Sequence, residues 1–175
     1  VQIRGGNMGH MIQCFIGNPI VIKKIVLPLK QVTTSILDFP QGLQCLFLCD
    51  NLFDAIHSNV TISSNNEIEP FVFLDQAIKD YLEMIQPDGY FIYVETDYFG
   101  GEGTQISAIF KDGKILETYK ENTANIDITI PWPNRLLESP INKALRYIGV
   151  IRDGQLDEFD TLGLGKYRHM PCSEI

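Results

Sequence analysis

Residues 90–119 read YFIYVETDYFGGEGTQISAIFKDGKILETY, and this stretch decides the architecture. Tyr90–Thr96 and Thr104–Phe110 are rich in β-branched and aromatic residues, the composition of strands. Asp112-Gly113 is the dipeptide of a two-residue hairpin turn, so the second strand runs back antiparallel into Lys114–Tyr119.

Upstream, Leu74, Ala77, Ile78, Tyr81, Leu82 and Ile85 recur at i, i+3 and i+4. That spacing predicts a helix from about Pro70 to Gln86, with Asp75, Lys79, Asp80 and Glu83 on its wet side and Pro87-Asp88-Gly89 as its stop. Nearer the start, Met11–Ile16 reads as a strand closed by Gly17-Asn18. Asn18-Pro19 then opens a helix, an N-cap followed by proline at the first helical position. Val32–Leu37 is expected to be extended, and Pro40-Gln41-Gly42 turns the chain into Leu43–Cys49. The latter is apolar on both faces, the pattern of a strand covered on both sides. Asp50–His57 reads as a short helix and Thr61–Glu69 as a polar loop.

Downstream of the hairpin, Glu121–Asp127 reads as a loop and Ile128–Pro133 as extended. Ser139 caps a helix with Pro140 at its first position, carrying Ile141, Ala144, Leu145 and Ile148 and ending at Gly149. Asp157–Leu164 reads as a helical turn. There is no βαβ alternation and no internal repeat. The expected fold is one α+β domain over residues 11–175, a mostly antiparallel sheet with helices packed on it. Residues 1–10 are read as a cloning remnant or a disordered leader.

At 175 residues and 45% hydrophobic composition, the chain can bury a full core. No run of about 18 apolar residues is present, which excludes a membrane-spanning helix. The net charge of -8 argues against a nucleic-acid binder. The acidity is lopsided: residues 61–138 hold five basic against fourteen acidic side chains, while 1–60 carry a net of +1 and 139–175 a net of zero. Such a field can steer a cationic partner.

Four cysteines stand at positions 14, 45, 49 and 172, with no CxxC pair. Cys45 and Cys49, four apart on one strand, lie about 13 Å from each other, too far for a disulfide. His10, His57 and His169 are too few and too scattered for a zinc site. Reduced, buried cysteines in a cytoplasmic protein are the expectation, in keeping with the lack of a long apolar signal core in Val1–Met11.

Two clusters bear chemistry. In Glu95–Gln105, three acids and three glycines sit between two strands, and Glu95 and Asp97 share a strand face at about 7 Å. Glycines allow a backbone to approach a ligand, and paired carboxylates can hold a metal or exchange protons. A hairpin also needs glycine for geometry alone, and neither GK[ST] nor GxGxxG is present. In Asp153–Asp160, four acids crowd around Phe159 without EF-hand spacing, as a solvated loop or as an acidic lip around an aromatic anchor. No G-x-S-x-G elbow surrounds any serine.

Tyr98–Gln105 with its hairpin, Pro140-Ile141-Asn142-Lys143-Ala144-Leu145, and Asp157-Glu158-Phe159-Asp160 followed by Gly163-Leu164-Gly165-Lys166-Tyr167-Arg168 together resemble a small family of cytosolic bacterial proteins. Some of these serve as immunity proteins beside secreted toxins, including those of contact-dependent growth inhibition. The resemblance implies a cytoplasmic, non-enzymatic inhibitor without cofactor or metal, partnered by its cognate toxin and neither by nucleic acid nor by a membrane. A nuclease toxin has a cationic cleft for phosphate, which carboxylates can fill. The expected contact residues are Glu95, Asp97, Tyr98, Glu102, Asp157, Glu158, Phe159 and Asp160. The rival is a small enzyme using the Glu95, Asp97 and Glu102 carboxylates, with or without a divalent metal. A small-ligand-binding or homo-oligomeric structural protein is the third reading.

Overall fold

The computed structural model describes residues 10–30, 32, 34–61, 66–99, 102–122, 129, 131, 134 and 137–172. Among them six strands form one sheet: β1 (His10–Gly17), β2 (Ile36–Phe39), β3 (Leu43–Phe47), β4 (Tyr90–Phe99), β5 (Glu102–Lys111) and β6 (Lys114–Asn122). Their order is β2-β3-β1-β4-β5-β6, and every neighbouring pair is antiparallel. The helices are α1 (Pro19–Val26), α2 (Asp50–Ser58), α3 (Gln76–Ile85), α4 (Pro140–Tyr147) and α5 (Glu158–Leu162). This is the α+β fold that the hairpin predicts.

Both faces of the sheet are covered, which is why β1, β3 and β4 lack a clean alternation of apolar and polar residues. On one face Phe15, Leu46, Phe91, Tyr93 and Phe110 pack against Ile22, Ile25, Leu52, Ile78 and Leu82 of α1, α2 and α3. On the other, Ile12, Cys14, Phe47, Ile92, Val94 and Ile109 meet Ile141, Leu145, Leu162 and Leu164 from α4, α5 and the turn after it. The two faces are called the α1–α3 face and the α4–α5 face below. The β5–β6 turn forms as its sequence demands, with φ of 51° at Asp112 and 83° at Gly113. A Cβ on Gly113 would stand 2.2 Å from the Leu82 carbonyl oxygen, so the turn can dock on the end of α3 only with glycine there.

Asn18, Asp75, Ser139 and Asp157 each cap a helix through a side-chain oxygen, and proline opens α1 and α4 as read from the sequence. Three expectations are corrected. The long helix begins at Gln76 rather than near Pro70, because the backbone N–H groups of residues 72–74 bond elsewhere. Most of the glycine-rich stretch is strand, since β4 runs to Phe99 and β5 starts at Glu102. A Cβ at Gly103 would lie 2.0 Å from the Asp97 carbonyl oxygen, so that glycine serves close strand approach. Finally, the cysteines are not all reduced. Cys49 and Cys172, 123 residues apart in sequence, form a disulfide with a Cα–Cα distance of 5.7 Å, while Cys14 and Cys45 are free and buried. Cys172 returns to the start of α2, a meeting that spacing along one strand does not foretell.

The expected Glu121–Asp127 loop starts later, since β6 runs to Asn122, and the rest of it, with 128, 130 and 132–133 of the expected extended segment, falls outside the described residues. His10 belongs to β1, one residue before the boundary read from sequence. Among the described residues no helix is long and apolar enough to cross a membrane.

Candidate functional site

The two acidic clusters lie at the same end of the sheet, where β4 and β5 run past β3, with Glu95 and Asp97 on one face and Phe159 on the other. On the α1–α3 face stands Glu95, only 4% exposed. Its Oε2 accepts the Val72 N–H at 2.9 Å, and its Oε1 accepts those of Phe73 at 2.8 Å and Leu74 at 2.9 Å. The Tyr93 hydroxyl donates to the same Oε1 at 3.0 Å. Three successive N–H groups around one carboxylate form an anion nest, which satisfies a buried charge without a cation. Burial, and then the Glu95 charge, pushes the Tyr93 hydroxyl well above the ordinary tyrosine range.

The loop held this way buries Phe71 and Leu74 in the core and leaves Val72 74% and Phe73 41% exposed. It then passes straight into Asp75, whose Oδ1 caps α3 at the Ile78 N–H and whose Oδ2 lies 2.7 Å from His57 Nε2. Asp97, two residues beyond Glu95 on the same face, is exposed and sits opposite the half-exposed Met11 of β1. Exposed Glu67 and Glu69 precede the loop.

On the α4–α5 face, Tyr98 is paired across the strands with His10. The imidazole places Nδ1 2.7 Å from Thr96 Oγ1 and Nε2 3.2 Å from the Leu164 carbonyl, and the Phe159 ring tilts against it at 5.3 Å. Burial holds the His10 pKa below its usual value, opposed by the bond to Leu164. Tyr98 is pushed up to about 12 by burial and then by the nearby Glu121 charge. Gln105 hydrogen-bonds Tyr98, and its amide oxygen is buried with no partner among the described residues.

Below Phe159 lies a second buried carboxylate. Asp157 caps α5 through the Asp160 N–H at 2.8 Å and accepts from Asn142 Nδ2 at 2.9 Å. Asn142 Oδ1 in turn takes the Phe159 N–H at 2.9 Å. Glu158, also buried, pairs with Arg146 at 3.1 Å. Burial, and then the neighbouring Asp157 charge, raises the Asp160 pKa.

The eight residues singled out from sequence therefore divide. Glu95, Asp157 and Glu158 are buried, with their carboxylates engaged by internal partners that leave them no surface for contact. Asp97, Glu102 and Asp160 are exposed, and Tyr98 and Phe159 are half-buried on either side of His10.

No family model, curated protein or solved structure matches this chain. The site thus has to be read from its own geometry. Sequence reasoning missed His10, Met11, Val72 and Phe73. A signal did exist for the last two: they are large apolar residues on the polar side of the helical pattern that places Phe71 and Leu74 inward. Among the described residues no three His, Cys, Asp or Glu side chains gather as a metal site.

Proposed function

We propose that this protein is a non-enzymatic inhibitor of the immunity type, which binds a secreted toxin with a cationic, nuclease-like cleft and blocks it. In this reading the protein acts in the cytoplasm and engages neither nucleic acid nor membrane. The observation that carries the reading is the division of labour among the acids. Two buried carboxylates, Glu95 and Asp157, fix the backbones that present Val72, Phe73 and Phe159. The exposed Asp97 stands on the face of Val72 and Phe73, the exposed Asp160 follows Phe159 on the opposite face, and the exposed Glu102 opens β5.

Apolar and aromatic anchors within a charged rim have the anatomy of a binding hot spot. Fixing them before the encounter lowers the ordering cost of association. The exposed carboxylates would speed the approach of a cationic surface and lie where phosphates of a nucleic acid would otherwise sit. The carboxylate-enzyme alternative is supported less, because Glu95 has its lone pairs taken by four donors.

The test is association with the polypeptide encoded beside this protein's gene, followed by stopped flow at low and high salt. The wild type should bind a basic partner stoichiometrically, and Asp97→Lys/Glu102→Lys/Asp160→Lys should associate about 10-fold or more slowly at low salt. A triple variant that binds as fast as wild type, or a neighbour that does not bind, would overturn the proposal.

A further inference from the structure

Residues 168–172 lie beside the sheet, next to the start of β1. β3 pairs with β1 through Cys14–Phe47, and the ladder continues once more as the Leu48 N–H reaches the Gln13 carbonyl. The chain then turns into α2 at Asp50, and β1 loses that neighbour three residues short of its start. Residues 168–172 fill the gap. The Met11 N–H donates to the Arg168 carbonyl at 2.9 Å, and Met11 bridges His169 in parallel.

This seat is lightly held. Tyr167 is the last side chain with a ring contact, packed on Phe39 and Phe47 at 6.1 and 5.4 Å, and Met170 and Cys172 beyond it lie only partly buried against the same core. Beyond it Arg168, His169 and Pro171 are exposed and Met170 and Cys172 half-buried. Besides the Met11 bond, Ser35 Oγ donates to the Pro171 carbonyl at 2.7 Å, and the Cys49–Cys172 bond closes the end. Three exposed residues of five, two partly buried side chains and an exposed hydrogen bond mark a segment of low local stability.

The disulfide also has an approach path. A cavity of about 450 Å³ is lined by Met11, Asp50, Asn51, His169, Met170 and both sulfur-bearing residues. Cys172 is the more open of the two, while Cys49 is buried at the N-cap of the nine-residue α2. A helix N-terminus stabilises a thiolate, so Cys49 is the better leaving group.

We propose that Cys49–Cys172 is an exchangeable disulfide whose substrate is a dithiol reductant, and that its state decides whether residues 168–172 stay seated against β1. The incoming thiolate attacks Cys172 Sγ and displaces Cys49 as a thiolate, which takes up a proton. The second thiol of the reductant then attacks its own sulfur in the mixed disulfide and releases Cys172. Two electrons pass to the protein, and the reductant leaves as a disulfide. The tail, left with two backbone-directed hydrogen bonds, swings away after Tyr167 and uncovers the Met11 edge of β1. The inference does not depend on the toxin-inhibitor reading.

The experiment treats the full chain with dithiothreitol in native buffer, followed by alkylation mapping and amide hydrogen exchange. Labelling is expected at Cys49 and Cys172 and not at the buried Cys14 and Cys45. The Met11 amide should lose its protection, while that of Ile12, which donates to Thr96 Oγ1, should keep it. Cys172→Ser should reproduce the reduced pattern with the rest of the fold intact. Four outcomes would each overturn the proposal: reduction only in denaturant, unchanged protection at Met11, loss of protection across the whole core, or a pair that an oxidant cannot close.

Discussion

The two buried carboxylates at the open end of the sheet do the same job by different means. Glu95 is the one side chain that takes the N–H groups of residues 72–74, with a hydroxyl as its fourth donor. Asp157 shares its load, since Asn142 bridges it to the Phe159 backbone and Arg146 pairs with the adjacent Glu158. A concentrated support fails all at once when its one residue is changed. A distributed support fails by parts.

The largest expected effect is therefore at Glu95. Glu95→Ala strips the acceptor from three loop N–H groups and a buried tyrosine, and should cost about 3–5 kcal/mol in urea unfolding. Glu95→Gln keeps one acceptor oxygen but turns an amide donor toward other donors, so it should fall between. Asp157→Ala comes next, at about 2 kcal/mol, because it removes a helix cap and the acceptor of the Asn142 Nδ2 bond. Combining it with Asn142→Ala should cost less than the sum of the single changes, as in any shared network. If Asp157→Ala proved costlier than Glu95→Ala, the distinction between the two supports would be reversed.

The same contrast marks the limit of reading the chain. The 90–119 hairpin, the Pro140 helix and its Ser139 cap were legible because their signals lie within a few residues of the structure they specify. The start of α3 was not. Phe71, Leu74 and Ile78 continue a helical spacing, yet a carboxylate 21 residues downstream captures the Leu74 N–H. Acids in a polar run look solvated, and only the fold brings Arg146 to Glu158 and Asn142 to Asp157. The Cys49–Cys172 bond, spanning 123 residues, is the extreme case. The candidate site was legible in part: Tyr98 of the first cluster and Phe159 of the second do meet at His10, whereas Glu95 and Asp97 stand on the other face of the sheet. The role of each acid within it was not, because burial is a property of the packed chain.

A smaller effect separates the faces by pH. His10 lies between Thr96, the Leu164 carbonyl and Phe159, and burial lowers its folded pKa below the usual histidine value. Between the folded and unfolded values the unfolded chain binds more protons, so stability rises with pH through that window. Stability is full above about pH 6.5 and declines as the pH falls toward the folded value. Denaturant midpoints of wild type and His10→Gln at pH 7.5 and 5.5 check this. The variant should lose less on acidification, and an equal loss in both would show that the α4–α5 face does not sense protons through His10.

The smallest effect on stability falls at Val72, and there the contrast between support and presented side chain is sharpest. Val72 is 74% exposed, with its backbone N–H pinned by Glu95 and its side chain outside the core. Val72→Ala should shift unfolding by no more than about 0.5 kcal/mol, as exposed substitutions do. If the loop exists to present Val72 and Phe73, the same change should still weaken a stoichiometric partner complex, mainly through faster dissociation. Glu95→Ala, by contrast, should weaken stability and binding together. A Val72→Ala protein with wild-type stability and wild-type dissociation would make the nest a device for folding alone, and would move the contact surface toward Tyr98, Phe159 and Asp160 on the opposite face.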